Sequence, residues 1–232
     1  MKVALINGQN HKGSTYHIGR MLAEKLTGGE NVTEVFLPRD MPNFCLGCAD
    51  CIMKDESACP HYKYIEPITR IIDSADVMIF TSPVYVFHAT GSMKALLDHY
   101  AYRWMPHRPE EKMFRKQGVC IATAAGAGMR STIKDMRDSL SFWGVGRIFS
   151  YGIAVNAIKW DEVPEKKKIK IEKATSRLSR KILARVGKVR PSLKTILIFS
   201  AMRLMQKKPL NQADGAYWAQ KGWTGAKRPW RS

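Results

Sequence analysis

At 232 residues the chain is long enough for one domain of ordinary size, an extension and a real core. A hydrophobic content of 45% with 25% charged residues argues for a folded globular protein and against a disordered one, and no apolar run approaches the roughly 20 residues that cross a bilayer. The formal charge of +18 is unevenly placed: residues 1–158 hold 18 Lys/Arg against 15 Asp/Glu, whereas residues 159–232 hold 20 against 5. The excess therefore bears on what the C-terminal third touches, not on how the rest folds.

Lys2–Asn7 reads as a short buried strand ending at Gly8. A run that begins as a strand, rather than as a charged-then-apolar leader, makes the cytoplasm the expected location. A polar loop then leads into a helix over Thr15–Leu26, with Ile18, Met21, Leu22 and Leu26 on one face and Gly28-Gly29 as its stop. Val32–Leu37 reads as the second strand, followed by a loop over 39–60. The pattern then predicts a helix over Ile65–Ile72, a buried strand over Asp76–Ser82 and a helix over Gly91–Tyr102. A fourth strand over Gly118–Ala124 runs into Ala125-Gly126-Ala127-Gly128, and a helix covers Met129–Trp143. Arg147–Val155 gives the fifth strand and Glu162–Val186 a long basic helix. Such alternation predicts an α/β fold: a doubly wound, five-stranded parallel sheet of order 2-1-3-4-5, with ligands beyond the carboxyl ends of its strands.

The loop after the second strand carries Cys45, Cys48, Cys51 and Cys59 in the spacing C-x2-C-x2-C-x7-C. Three thiolates on two-residue spacers, closed by a fourth, suit an iron–sulfur cluster, each of whose irons takes one Cys. A single zinc also takes four thiolates, but structural zinc sites usually draw two C-x2-C pairs from separate turns. A disulfide framework is disfavoured by the odd total of five cysteines and the absence of a secretory signal. Cys120 falls inside the fourth strand and reads as core.

Three loops would meet at the carboxyl edge of the sheet. Gly8-Gln9-Asn10-His11-Lys12-Gly13-Ser14-Thr15 enters a helix N-terminus, a place suited to phosphate. Ser82-Pro83-Val84-Tyr85-Val86-Phe87-His88 puts aromatic side chains on a turn behind a buried strand, where a planar ligand or a protein neighbour would cover them. The third loop spans 123–128. Together, the first loop, the Ser82–Tyr85 stretch with Gly91-x-Met-Lys-x-Leu-Leu-Asp98 behind it, and the cysteine loop resemble the NAD(P)H-dependent FMN reductase superfamily of flavodoxin-like proteins, and within it the iron–sulfur flavoproteins. The match covers roughly residues 1–155.

The resemblance implies that Gln9, His11, Ser14 and Thr15 contact an FMN phosphate, that Pro83, Val84, Tyr85 and Phe87 line the isoalloxazine, and that Thr123, Ala124 and Gly126 complete the pocket. It implies a [4Fe-4S] cluster on Cys45, Cys48, Cys51 and Cys59, and a homodimer or homotetramer with the flavin site near a subunit interface. The family commonly has Ser and Arg where this chain has Gln9 and His11, which weakens the expected hold on phosphate. The expected activity is electron exchange between NAD(P)H or ferredoxin and an acceptor, the flavin carrying the redox chemistry. Two other readings stay open: a cluster-free NAD(P)H:FMN or quinone reductase, and a flavodoxin-like binding protein that holds zinc.

The flavin domain is expected over 1–187 and a basic, amphipathic helical extension over 188–232. Leu193–Met205 is apolar enough to pack on the domain or a partner subunit, or to lie in a membrane interface. An acidic protein such as a ferredoxin, or an anionic membrane surface, suits its charge. Nucleic acid has only that charge in its favour, since no known recognition motif accompanies it.

Overall fold

The computed structural model describes residues 1–157 and 159–231. Five strands, β1 Val3–Asn7, β2 Val32–Phe36, β3 Val77–Pro83, β4 Gln117–Ala124 and β5 Arg147–Ala154, form one sheet in the order β2-β1-β3-β4-β5. All four pairings are parallel; Val3 lies opposite Val32 on one side and Val77 on the other. This is the expected order. Eight α-helices accompany the sheet among the described residues: α1 Ser14–Thr27, α2 Asp50–Met53, α3 Tyr62–Ser74, α4 Gly91–His99, α5 Met129–Phe142, α6 Glu165–Leu183, α7 Leu193–Met205 and α8 Gln212–Gln220.

The two-residue period of a strand divides the central residues between two cores. Ala4, Ile6, Met78, Phe80 and Cys120 pack under α3, α4 and α5, together with Ile68, Leu96 and Leu140. Val3, Leu5, Ile79, Val119 and Ile121 face α1 and α6 through Ile18, Leu22, Ile171 and Ile182. With both faces covered, the inner strands are apolar throughout instead of alternating with polar residues.

Several ends differ from the sequence expectation by a turn or less. The basic helix expected over 162–186 starts only at Glu165, after the ring of Pro164, and Gly187 beyond it is left-handed at φ +71°. The helix from Gly91 stops at His99, because the amide of Tyr100 donates to Leu97 O. Helices α7 and α8 fall within the extension expected to be helical.

A third core belongs to the C-terminal segment. Phe199 of α7 and Trp218 of α8 stack at 4.9 Å, and Trp223 and Trp230 add to them. The cluster closes over Met105 and Phe114, which lie between α4 and β4.

Candidate functional site

The strand order reverses between β1 and β3, so the loops leaving β1, β3 and β4 meet at the carboxyl edge. The first opens α1. Its cap residue, Gly13, has no side chain to bond the first-turn amides, which are left for an external acceptor. An added Cβ at Gly13 would lie 3.0 Å from Gln9 Nε2 and 3.1 Å from His11 Nε2, so both side chains converge on this turn. Ser14 Oγ is buried without a hydrogen-bond partner. An orphan hydroxyl, two side-chain nitrogens and a helix N-terminus form an anion cradle, and they match what a flavin phosphate needs.

Thr15 Oγ1 lies 2.6 Å from Thr123 Oγ1 and ties the first loop to the end of β4. The amide of Val84 donates to Thr123 O at 2.8 Å. Gln9, His11, Ser14, Thr15, Pro83, Val84, Tyr85, Thr123 and Ala124 together line a cleft of about 270 Å³ with Gly13, Ala125, Val155 and Ala157. Phe87 and Gly126 are not among its lining residues. Val155 and Ala157, after β5, were not foreseen, since nothing in their identity marks a ligand wall.

Beyond Pro83 the chain makes a tight turn, with Tyr85 and His88 exchanging backbone hydrogen bonds at 3.0 Å. Its central residues, Val86 and Phe87, have φ of +47° and +64°, a conformation that costs a β-branched or bulky side chain on the order of 1–3 kcal/mol. Surrounding groups hold it in place. Asp135 accepts from His88 Nδ1 and the Ala89 amide, both at 3.0 Å, and Ser131 Oγ donates to Phe87 O. Thr90 caps α4 by accepting from the Met93 amide, while its hydroxyl donates to Gly8 O at 2.5 Å. Gly128 has φ +94°, and a Cβ there would sit 2.5 Å from Val84 Cγ1, so only glycine lets α5 approach this turn.

The cysteine loop occupies the stretch between β2 and α3. Cys45 and Cys48 are exposed; Cys51 and Cys59 are half-buried. Burial, then the neighbouring Cys59, Cys45 and Cys48, push the Cys51 thiol up to about 11. Cys59 is raised mainly by burial, and Cys48 and Cys45 contribute. Each of these two thiols is thus raised in part by the cysteines beside it, a repulsion that a bound cationic centre would relieve. Cys120, by contrast, is wholly buried in β4, and burial pushes its thiol up to about 12.

Two histidines adjoin the loop. Cys59, His61 and His99 bring their ligand atoms within 4.8 Å of one another. His99 Nδ1 lies 2.7 Å from the Ala95 carbonyl, which can only accept, so this nitrogen carries the proton. His99 Nε2 then accepts from His61 Nδ1 at 2.9 Å. The pair is satisfied internally, and burial holds His99 below its usual range.

Sequence reading missed Arg108. Its guanidinium donates to Ile52 O at 2.9 Å and to Cys51 O, and it pairs with Asp214 of α8 at 2.7 Å. Asp214 also accepts from His107 Nδ1 at 2.8 Å. Trp104, in the same segment, stacks on Phe142 at 4.5 Å.

The family model described as NADPH-dependent FMN reductase matches residues 1–158. An iron-sulfur flavoprotein of Archaeoglobus fulgidus is 27% identical over 206 residues, covering 87% of this chain and 89% of its own. Another from Methanocaldococcus jannaschii is 26% identical over 197 residues, covering 82% and 96%. Among solved structures, the NAD(P)H:quinone oxidoreductase of Methanothermobacter marburgensis superposes with a TM-score of 0.59 at 16% identity, covering 77% of this chain and 96% of that one. An FMN-dependent NADH-azoreductase of Bacillus anthracis gives 0.55 at 13%, covering 77% and 100%. These two likenesses concern the fold. The family match falls on the segment that builds the cleft, and the chain belongs to the NADPH-dependent FMN reductase family, as an FMN-dependent, NAD(P)H-using oxidoreductase similar along most of its length to the iron-sulfur flavoproteins.

Proposed function

We propose that this oxidoreductase is a two-centre electron carrier, with FMN in the cleft and a [4Fe-4S] cluster on Cys45, Cys48, Cys51 and Cys59. The flavin would exchange electron pairs with NAD(P)H, and the cluster would pass single electrons to or from a carrier such as a ferredoxin. The observation that supports it most is the placement of four free cysteines, spaced C-x2-C-x2-C-x7-C, in the one loop between β2 and α3. In the cleft, the first turn of α1, Ser14, Gln9 and His11 would hold the phosphate. Pro83, Val84 and Tyr85 would flank the ring system, with Thr123 and Ala124 completing the cleft; Phe87 and Gly126, outside its lining, would meet the flavin only at its open edge. Residues 1–187 would form the flavin domain and 188–232 its extension.

Exposed Tyr85, Val86 and Phe87 at the cleft, and Phe44, Leu46 and Met53 around the cysteines, are the surfaces a second subunit would cover in a homodimer or homotetramer. One observation favours a different metal: Cys59, His61 and His99 lie close enough to share a single zinc. Cysteine substitution separates the two. Cys48→Ala and Cys51→Ala should each abolish iron and acid-labile sulfide while leaving bound FMN intact. Zinc retained in both variants, and lost only in His99→Ala, would reject the cluster.

A further inference from the structure

Helix α7 has two faces, and the fold uses one. At about 100° per residue, Thr195, Phe199, Met202 and Gln206 point to the same side; Phe199 sits within the tryptophan cluster and Gln206 Nε2 donates to Pro106 O at 2.6 Å. Leu193, Leu197 and Leu204 fall within about 40° of one another on the opposite side. They are 80%, 69% and 64% exposed, and Leu210, just past the helix, is 90% exposed. A leucine row aimed away from the core adds nothing to folding and marks a surface that something covers.

The charge around the row says what. Between Glu172 and Asp214 the sequence has eleven Lys/Arg and no Asp or Glu. Among the described residues, Lys194, Arg203, Lys207 and Lys208 take part in no ion pair. Arg203 and Arg231 also crowd Arg228, whose guanidinium is held below its usual range by burial first and by those two cations next. A second copy is a poor occupant, because a two-fold interface sets one patch against itself and would press two acid-free cationic segments together. Nucleic acid would meet the charge but leave the leucines in water.

We propose that α7 docks the protein on an anionic lipid bilayer. Leu193, Leu197, Leu204 and Leu210 enter the upper acyl-chain region, and the flanking lysines and arginines meet lipid phosphates. A 13-residue helix of about 20 Å lies in the interface and does not cross it. The inference rests on α7 alone and stands whether or not the cysteines hold a cluster.

The test is flotation of the full-length protein with phosphatidylcholine vesicles made with and without phosphatidylglycerol. The wild type should float only with the anionic vesicles, and Leu197→Gln/Leu204→Gln should lower its partitioning at least about tenfold. Unchanged FMN content and circular dichroism in that variant would show that the fold is kept. Failure of the wild type to float, or equal flotation of the double variant, overturns the proposal. So does a double variant that turns an oligomer into a monomer while the wild type ignores vesicles, since the row would then lie between copies of the chain.

Discussion

His11 offers at most two ring N–H donors where the family's arginine would offer five, in a fixed fork and always charged. It still sits beside the cradle, 3.1 Å from where a Gly13 Cβ would be. His11→Arg should therefore tighten FMN binding, by about tenfold for one added charge-assisted contact. Flavin fluorescence titration of the apoprotein reads this directly, and an unchanged affinity would remove His11 from the phosphate site. Cys51 carries a second prediction at this scale. A rise from 9.0 to about 11 leaves about a hundredfold less thiolate at neutral pH in the metal-free protein. Iodoacetamide should then modify Cys51 far more slowly than a cysteine in the unfolded chain. The sign for stability follows: the folded state holds this proton more tightly, so the contribution is full below pH 9 and is lost as pH rises toward 11. Urea midpoints of the metal-free protein should fall over that window, and to a smaller extent in Cys51→Ala.

Among elements, the segment Met105–Pro109 joins the cysteine loop to the extension. Trp218 Nε1 donates to His107 O at 2.6 Å, and Tyr217 Oη to Pro109 O at 2.7 Å. Arg108 spans from Asp214 to the carbonyls of Cys51 and Ile52. Asp214→Ala leaves a buried guanidinium without its carboxylate, and we expect a loss of about 3–5 kcal/mol in urea unfolding, with faster proteolysis of the cysteine loop. Wild-type stability in that variant would show that the clamp is incidental. The inner strands of the sheet were legible because each holds a continuous apolar run, Val3–Ile6, Val77–Phe80 or Val119–Ala122, closed by a polar residue. The loops of the cleft were legible for the same reason, since a parallel sheet puts ligands where those runs end. The clamp was not: Arg108 and Asp214 are 106 residues apart, and neither stands in a local pattern. The left-handed backbone of Val86 and Phe87 was equally hidden, because their residue types argue against it and only Ser131, Asp135 and Gly128 impose it.

Across the whole molecule, the extension is part of the fold and not an appended tail. Its aromatic residues complete a core on Met105 and Phe114, beside the cysteine loop. What Tyr217 and Trp218 hold was not readable from the sequence, because the receiving residues His107 and Pro109 lie in an irregular segment. Removing residues 191–232 should thus destabilise the rest of the fold, seen as a lower midpoint in thermal unfolding, and an unchanged midpoint would make the extension an independent attachment.

The central claim concerns two redox centres in one chain. Its most direct test is protein purified without oxygen, assayed for FMN, iron, acid-labile sulfide and zinc and examined by ultraviolet–visible spectroscopy. The account predicts one flavin with about four irons and four sulfides per chain, and cluster absorbance beneath the flavin bands. One flavin with no iron, with or without zinc, would contradict it and leave a cluster-free flavin reductase.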